Sequence, residues 1–363
     1  MLKIKPARIL SLLFALLFYF SNPILAQSLE NRVDSLIKKN ISDTSGPGAV
    51  FLIAQHGKPV YQKAFGKANL ELGVNLQPDY IFELGSMTKQ FTAIAILILE
   101  EQGKLAITDP VSKYVPDYPN GKNITIHHLL THTSGIKDFT KMSALAGIAQ
   151  KDMSPKMMVD FFKNEPVDFA PGEKFDYNNS GYVLLGYIIE VASGDTYENF
   201  IRKNIFDKAG MTESDYASDR KIIKKRAYGY QKKSAGYVNK SSISFTVPFA
   251  SGALMSTLSD MLKWQNALNR HLLLSAKETD KAFTNYRLNN GQNIGYGYGW
   301  HITALNGLKS REHGGSIFGF KTMGVYIPEQ DLYVLALSNC DCNSPTQLAR
   351  DIASMALNSV SHQ

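Results

Sequence analysis

A serine hydroxyl becomes a useful nucleophile when a neighbouring base takes its proton, and a lysine amine can do so once burial makes it neutral. Ser-x-x-Lys places the two groups on one face of a helix. The chain contains four such pairs, Ser35–Lys38, Ser86–Lys89, Ser134–Lys137 and Ser218–Lys221, so the pattern alone selects nothing. Context separates them. Ser86 follows Gly85 and precedes Phe91 to Leu99, which is apolar except for Thr92. A helix apolar nearly all round must be buried, and its N-terminus offers free N–H groups and a positive dipole end to a developing oxyanion. Ser35 lies on an amphipathic segment near Lys39, Ser134 precedes Gly135 in a loop, and Ser218 lies in a charged stretch. Ser86 also reads as a simple N-cap, although a cap does not account for Lys89 on the helix of the apolar run. From these residues alone, both interpretations stand.

Two further patterns carry polar chemistry. Tyr-x-Asn occurs at Tyr118–Asn120, Tyr177–Asn179, Tyr197–Asn199 and Tyr237–Asn239. Tyr177 follows Pro171 and Gly172 and precedes Ser180-Gly181, which puts it in a loop entering a helix, where a polar tip can project into a cleft. His-x-Gly occurs once, at His313-Gly314-Gly315. Glycines on a strand let another backbone or a ligand approach closely. Taken singly, a satisfied buried tyrosine and a core histidine explain these residues equally well.

The elements that must position these groups follow from periodicity. Leu29 to Lys38 reads as an amphipathic helix. Ala49–Ala54 and Val60–Phe65 are β-rich runs joined through Gln55–Pro59 as a hairpin. Gly103 ends the helix of Phe91–Leu99. Ile126–Leu130, Met157–Phe162, Tyr182–Val191, Tyr197–Phe206 and Leu258–Leu268 carry helical spacing. Gly295-Tyr-Gly-Tyr-Gly-Trp300 alternates glycine with rings, predicting a strand with aromatics on one face. Met323–Ile327 and Leu332–Leu337 are further strands, and Leu348, Ile352 and Met355 share one face of a closing helix. The order predicts an α+β fold in which the last strands join the first hairpin in one antiparallel sheet, with a helical block inserted. The expected division is a sheet lobe from 27–80 and 240–363 and a helical lobe from 81–239.

Length and composition bound the rest. The chain has 363 residues, 44% hydrophobic and 20% charged, which is ordinary for a globular protein. Lys3, Lys5 and Arg8 precede an apolar run from Ile9 to Phe20 and Pro23-Ile-Leu-Ala26, the pattern of a signal peptide spanning 1–26. An uncleaved anchor is the alternative, but the run is short of the ~20 residues a span needs. Export to the periplasm or medium is expected. Without those three cations the formal charge of +7 becomes +4, too mild and scattered for nucleic acid; the cluster of Lys221, Lys224, Lys225 and Arg226 reads as a solvated face. No Cys/His cluster has zinc spacing, and no metal or organic cofactor is implied. An exported protein could oxidise Cys340 and Cys342, but a two-residue spacing makes an intrachain bridge awkward, so both read as structural and no disulfide framework is expected.

Taken in order, Ser86–Lys89, Tyr177–Asn179 and His313–Gly315 resemble the motifs of the serine β-lactamase and penicillin-binding superfamily, in the branch of class C β-lactamases, D-Ala-D-Ala carboxypeptidases, D-aminopeptidases and related esterases. Phe82-Glu-Leu-Gly-Ser-Met-Thr-Lys89 resembles its nucleophile segment and Leu129-Leu-Thr-His-Thr-Ser-Gly-Ile136 a characteristic loop. Ala170 to Gly181, Gly210-Met211, Gly252 to Trp264, Tyr296 to Trp300 and Ser338-Asn339 resemble its other landmarks, so the similarity spans roughly 30–358. The resemblance implies a groove between sheet and helical lobes. Ser86 would be the nucleophile, Lys89 its proton acceptor and Tyr177 the relay to the leaving group. His313 would sit on the sheet edge beside Tyr177, and Asn179 would bind the acyl side-chain amide of the substrate. Gly314, Gly315 and Ser316 would bind substrate along the strand, and the N–H groups of Ser86 and Ser316 would form the oxyanion hole. Class C β-lactamases carry lysine where this chain has His313, which lowers the expected β-lactamase activity. A phenolate at neutral pH would need about 4 kcal/mol of stabilisation, so Tyr177 is expected to rest protonated. The resulting expectation is an acyl-enzyme hydrolase of a small-molecule or peptide substrate, D-Ala-D-Ala carboxypeptidase-like. A carboxylesterase or β-lactamase with the same residues, or a penicillin-binding module without turnover, are the alternatives.

Overall fold

The computed structural model describes residues 28–360, and the leader expected over 1–26 lies outside them. Helix α1 (Leu29–Asn40) leads into the hairpin β1 (Ala49–Gln55) and β2 (Lys58–Phe65). His56 and Gly57, both with positive φ (51° and 71°), form the turn; paired positive φ matches the twist of a two-residue hairpin. Helix α2 (Thr88–Glu101) follows, then a helical block containing α3 (Asn179–Ser193). Helix α4 (Leu258–Asn269), strands β3 (His301–Leu305), β4 (Leu308–Ile317), β5 (Phe320–Ile327) and β6 (Leu332–Ser338), and helix α5 (Pro345–Val360) complete the fold.

The six strands form one antiparallel sheet in the order β3-β4-β5-β6-β1-β2. The last strands thus join the first hairpin, with Ala49 opposite Ser338 and His313 opposite Gly324. The unbroken apolar run of β1 has a simple cause: both faces are covered. Phe51 and Ile53 pack with Val33, Ile37, Val334 and Ile352 beneath α1 and α5. Val50 and Leu52 face the other way, into the core with Leu335, Leu337, Met261, Trp264 and the residues of α2. Residues 91–99 of α2 are all buried, as their composition requires. Among the described residues, no helix is long and apolar enough to cross a membrane.

Two sequence expectations are corrected. Gly295–Trp300 is not a strand. Gly295 and Gly299 have φ of 67° and 85°, so the chain turns twice, and Tyr296, Tyr298 and Trp300 are all buried instead of standing on one sheet face. Cys340 and Cys342 do form a disulfide. A turn at Asp341 brings their Cα atoms to 5.1 Å, inside the range a bridge accepts.

Candidate active site

The site starts with a backbone feature. Gly85 has φ +53° and opens a single 3-10 turn, Gly85–Met87, before α2. No side-chain capping bond is made at either helix start, so Ser86 is not an N-cap here. Strand β4 passes directly over this turn. A Cβ on Gly315 would lie 1.9 Å from the Leu84 carbonyl oxygen, and one on Gly85 would lie 2.9 Å from the Ser316 amide nitrogen. Only glycine permits this approach, which sets the Ser86 turn against the Ser316 backbone. Gly315→Ala is therefore expected to push β4 off the turn, lowering the urea midpoint by an amount equivalent to roughly 1–3 kcal/mol and lowering activity in the fraction that remains folded. Chemical denaturation beside an activity assay checks both.

Lys89 is fully buried. Its Nζ lies 3.1 Å from Ser86 Oγ, 2.8 Å from Asn179 Oδ1 and 2.9 Å from the Ser251 carbonyl oxygen. The Asn179 amide orientation follows from its other end, which donates to Asp138 Oδ2 at 3.2 Å and Thr140 Oγ1 at 3.3 Å. Asn179 Oδ1 and the Ser251 carbonyl are pure acceptors. A neutral lysine amine has two N–H donors, and these two oxygens take both, leaving its lone pair to the Ser86 hydroxyl. Burial pulls the Lys89 pKa down to about 7, partly opposed by the Asp138 carboxylate.

Tyr177 lies over the same amine, with Lys89 Nζ 4.8 Å from its ring centroid. Its hydroxyl is buried and makes no hydrogen bond in the resting site. Burial pushes its pKa up, and the nearby Ser86 hydroxyl offsets this only in part. Tyr177 is a neutral phenol at rest.

His313 sits beside Tyr177, with ring centroids 6.0 Å apart, but both its nitrogens are occupied. Nδ1 lies 2.6 Å from the Gly314 carbonyl and must carry the proton; Nε2 then accepts from the Tyr296 hydroxyl at 3.0 Å. Burial, with the neighbouring His301 and Lys89, holds its pKa well below the usual imidazole value. It is a neutral, buried ring. Asn179 and Ser316 line the groove with Ser86 and Tyr177, whereas His313, Gly314 and Gly315 are not among its lining residues.

Several residues here escaped sequence inspection. Asp138 is buried, bonded to Thr140 and Asn179. Ser251 contributes a backbone carbonyl, which no motif marks. His132 accepts from the Asn178 N–H at 3.0 Å, packs tilted against Tyr177 with ring centroids 4.4 Å apart, and leaves its buried Nε2 unpartnered. Its position in Thr131-His-Thr-Ser-Gly135 was the available signal. Asp341 was passed over between its two cysteines.

The groove holds about 550 Å³. Its walls include Phe139, Leu145, Ile243, Ile317 and Phe318, and Asp341 is its one charged lining residue among those described. Along it, β3 pairs only with Leu308–Glu312, so His313–Ile317 has an unpaired edge.

Comparison with known proteins bears on the family and the fold. The Beta-lactamase family model matches residues 33–356. The chain is 35% identical over 304 residues to Penicillin-binding protein 4* of Bacillus subtilis (strain 168), covering 79% of this chain and 67% of that protein. It superposes on the octameric penicillin-binding protein homologue from Pyrococcus abyssi with a TM-score of 0.81 and 32% identity, over 90% of this chain and 77% of that one. The D-amino acid amidase from Ochrobactrum anthropi SV3 shares the fold, at TM-score 0.79 and 23% identity over 92% of this chain and 99% of that one.

Proposed function

Because this chain belongs to the Beta-lactamase family of serine hydrolases, we propose that it cleaves an amide or ester bond through an acyl-enzyme on Ser86, with a peptide-type amide as its natural target. The observation that carries this is the aim of the Lys89 lone pair at Ser86 Oγ. Lys89 takes the Ser86 proton as the oxygen attacks the carbonyl carbon. The oxyanion forms between the N–H groups of Ser86 and Ser316, where fixed dipoles need no reorganisation. The proton on Lys89 then reaches the leaving nitrogen through the Tyr177 hydroxyl. Water releases the acyl group by the same steps reversed.

The substrate question turns on charge. A carboxypeptidase or a β-lactamase must hold a substrate carboxylate, for which a cation is the natural partner. No lysine or arginine lines this groove among the described residues, and His313 is neutral and occupied. These facts favour an amide substrate without a free carboxylate at the cleaved end over the D-Ala-D-Ala carboxypeptidase expected from the sequence. A carboxylesterase with the same residues is the second reading, supported by the apolar walls. Export is inferred from the leader, and a disulfide suits an oxidising compartment.

Intact-mass spectrometry and turnover assays with a fluorescent penicillin, a D-Ala-D-Ala peptide, a D-amino acid amide and a short activated ester test this. Turnover of the amide above that of the D-Ala-D-Ala peptide is expected. Efficient release of terminal D-alanine would restore the carboxypeptidase, and turnover of the ester alone would establish the esterase.

A further inference from the structure

We propose that Asp341 is a specificity residue, selecting substrates that carry a cationic group, a primary ammonium above all, on the acyl portion held in the groove. This rests on Ser86 acylation as proposed above and deepens it by naming the substrate class.

Three observations carry it. First, Asp341 is the one charged residue lining a groove otherwise walled by apolar and neutral side chains, among the described residues. In a chain of net charge +7, its carboxylate nevertheless makes no ion pair within the described residues. Second, it is held in place. Its N–H donates to the Tyr230 carbonyl at 3.3 Å, and Cys340 on one side is bridged to Cys342 on the other. Just before it, Asn339 donates to the Lys67 and Tyr228 carbonyls and accepts from the Gly48 N–H. A carboxylate fixed this way loses little side-chain freedom on binding a ligand. Third, the neighbour that meets it leaves room for a second donor. Gln231 Nε2 donates to Asp341 Oδ2 at 2.8 Å, while its Oε1 is occupied by the N–H and hydroxyl of Ser241, so the amide cannot turn away. Oδ1 keeps its acceptor capacity. An ammonium there would gain a charge-assisted hydrogen bond beside low-dielectric walls, where such bonds are strongest.

The test uses p-nitroanilides and p-nitrophenyl esters whose acyl part carries an α-ammonium, a side-chain ammonium, or the same amine acetylated. Turnover of acetylated members by the wild type, lost in Ser86→Ala, reports the acylation chemistry independently of Asp341. In Asp341→Asn, kcat/KM for at least one ammonium class should fall by about tenfold, mainly through KM, while the acetylated partner keeps its value. Asp341→Glu should retain part of the preference. Equal loss on charged and acetylated partners, or no loss on any ammonium substrate, overturns the role of Asp341. Absence of Ser86-dependent turnover across the whole set removes the acylation reading and this inference with it.

Discussion

Ser86→Ala is expected to fold as the wild type does, to form no covalent adduct with any substrate, and to lose turnover by on the order of 10⁴–10⁶. The magnitude follows from the chemistry, since every later step requires the acyl bond to Ser86 Oγ. The folding half follows from its contacts. The hydroxyl is bonded to Lys89 and caps no helix, so truncation leaves the α2 start intact and should move stability by about 1 kcal/mol, the worth of one hydrogen bond. The same substitution at Ser35, which donates to the Asn31 carbonyl on the exposed face of α1, should leave activity unchanged. Intact-mass spectrometry with an activated ester, beside thermal unfolding, checks both halves. An adduct persisting in Ser86→Ala would place the nucleophile elsewhere.

The second large effect belongs to Lys89. With its pKa near 7, the amine is protonated and unable to accept a proton at lower pH, and neutral above it. The value of kcat/KM should therefore rise about tenfold per pH unit on the acid side and level off past pH 7. Lys89→Met should remove that limb and lower the rate by roughly 10²–10⁴-fold. His313 should not set the limb, because burial holds its pKa well below the usual imidazole value. Nor should ionisation of Tyr177 shape the profile at neutral pH, since burial pushes the phenol upward. A pH–rate series on a neutral ester with wild type, Lys89→Met and His313→Gln separates these groups. A limb that survives in Lys89→Met and vanishes in His313→Gln would assign the titration to the imidazole.

The legible parts of this fold were those in which one residue pattern had one physical solution. The apolar run after Ser86 had to be a buried helix, and β1 and β6 had to be covered strands. The runs at His301–Leu305 and Leu308–Ile317 were harder. Both alternate weakly, and the second carries Lys309, Arg311 and Glu312, so their apolar content did not mark them, although Asn306-Gly307 is a hairpin turn with φ of 51° and 82°. The glycine–aromatic alternation at 295–300 misled for the opposite reason. Period two looks like a strand, but glycines with positive φ turn the chain and leave every ring buried. At the site, the Ser86–Lys89 contact was readable because three-residue spacing puts both groups on one helix face beside an apolar run, whereas Tyr177 was readable only from the order of motifs in the family resemblance. The Ser251 carbonyl was not, because any residue type can supply one. Asp138 and Asp341 are ordinary aspartates until the fold places one against Asn179 and the other in the groove.

The burial of Lys89 also has a consequence for folding. In the unfolded chain its amine titrates near 10.4, whereas in the folded protein it titrates near 7. Between these values the unfolded state binds a proton that the native state does not, so the stability of the native state rises with pH across that window. Below about pH 7 both states are protonated, and the folded protein carries the full penalty of a sequestered ammonium, on the order of 4 kcal/mol. That is a large share of the 5–15 kcal/mol that holds a typical domain together. Falling pH thus acts twice through the same side chain, in separate windows: from about pH 10 to 7 it loosens the native state, and below about pH 7 it silences the proton acceptor.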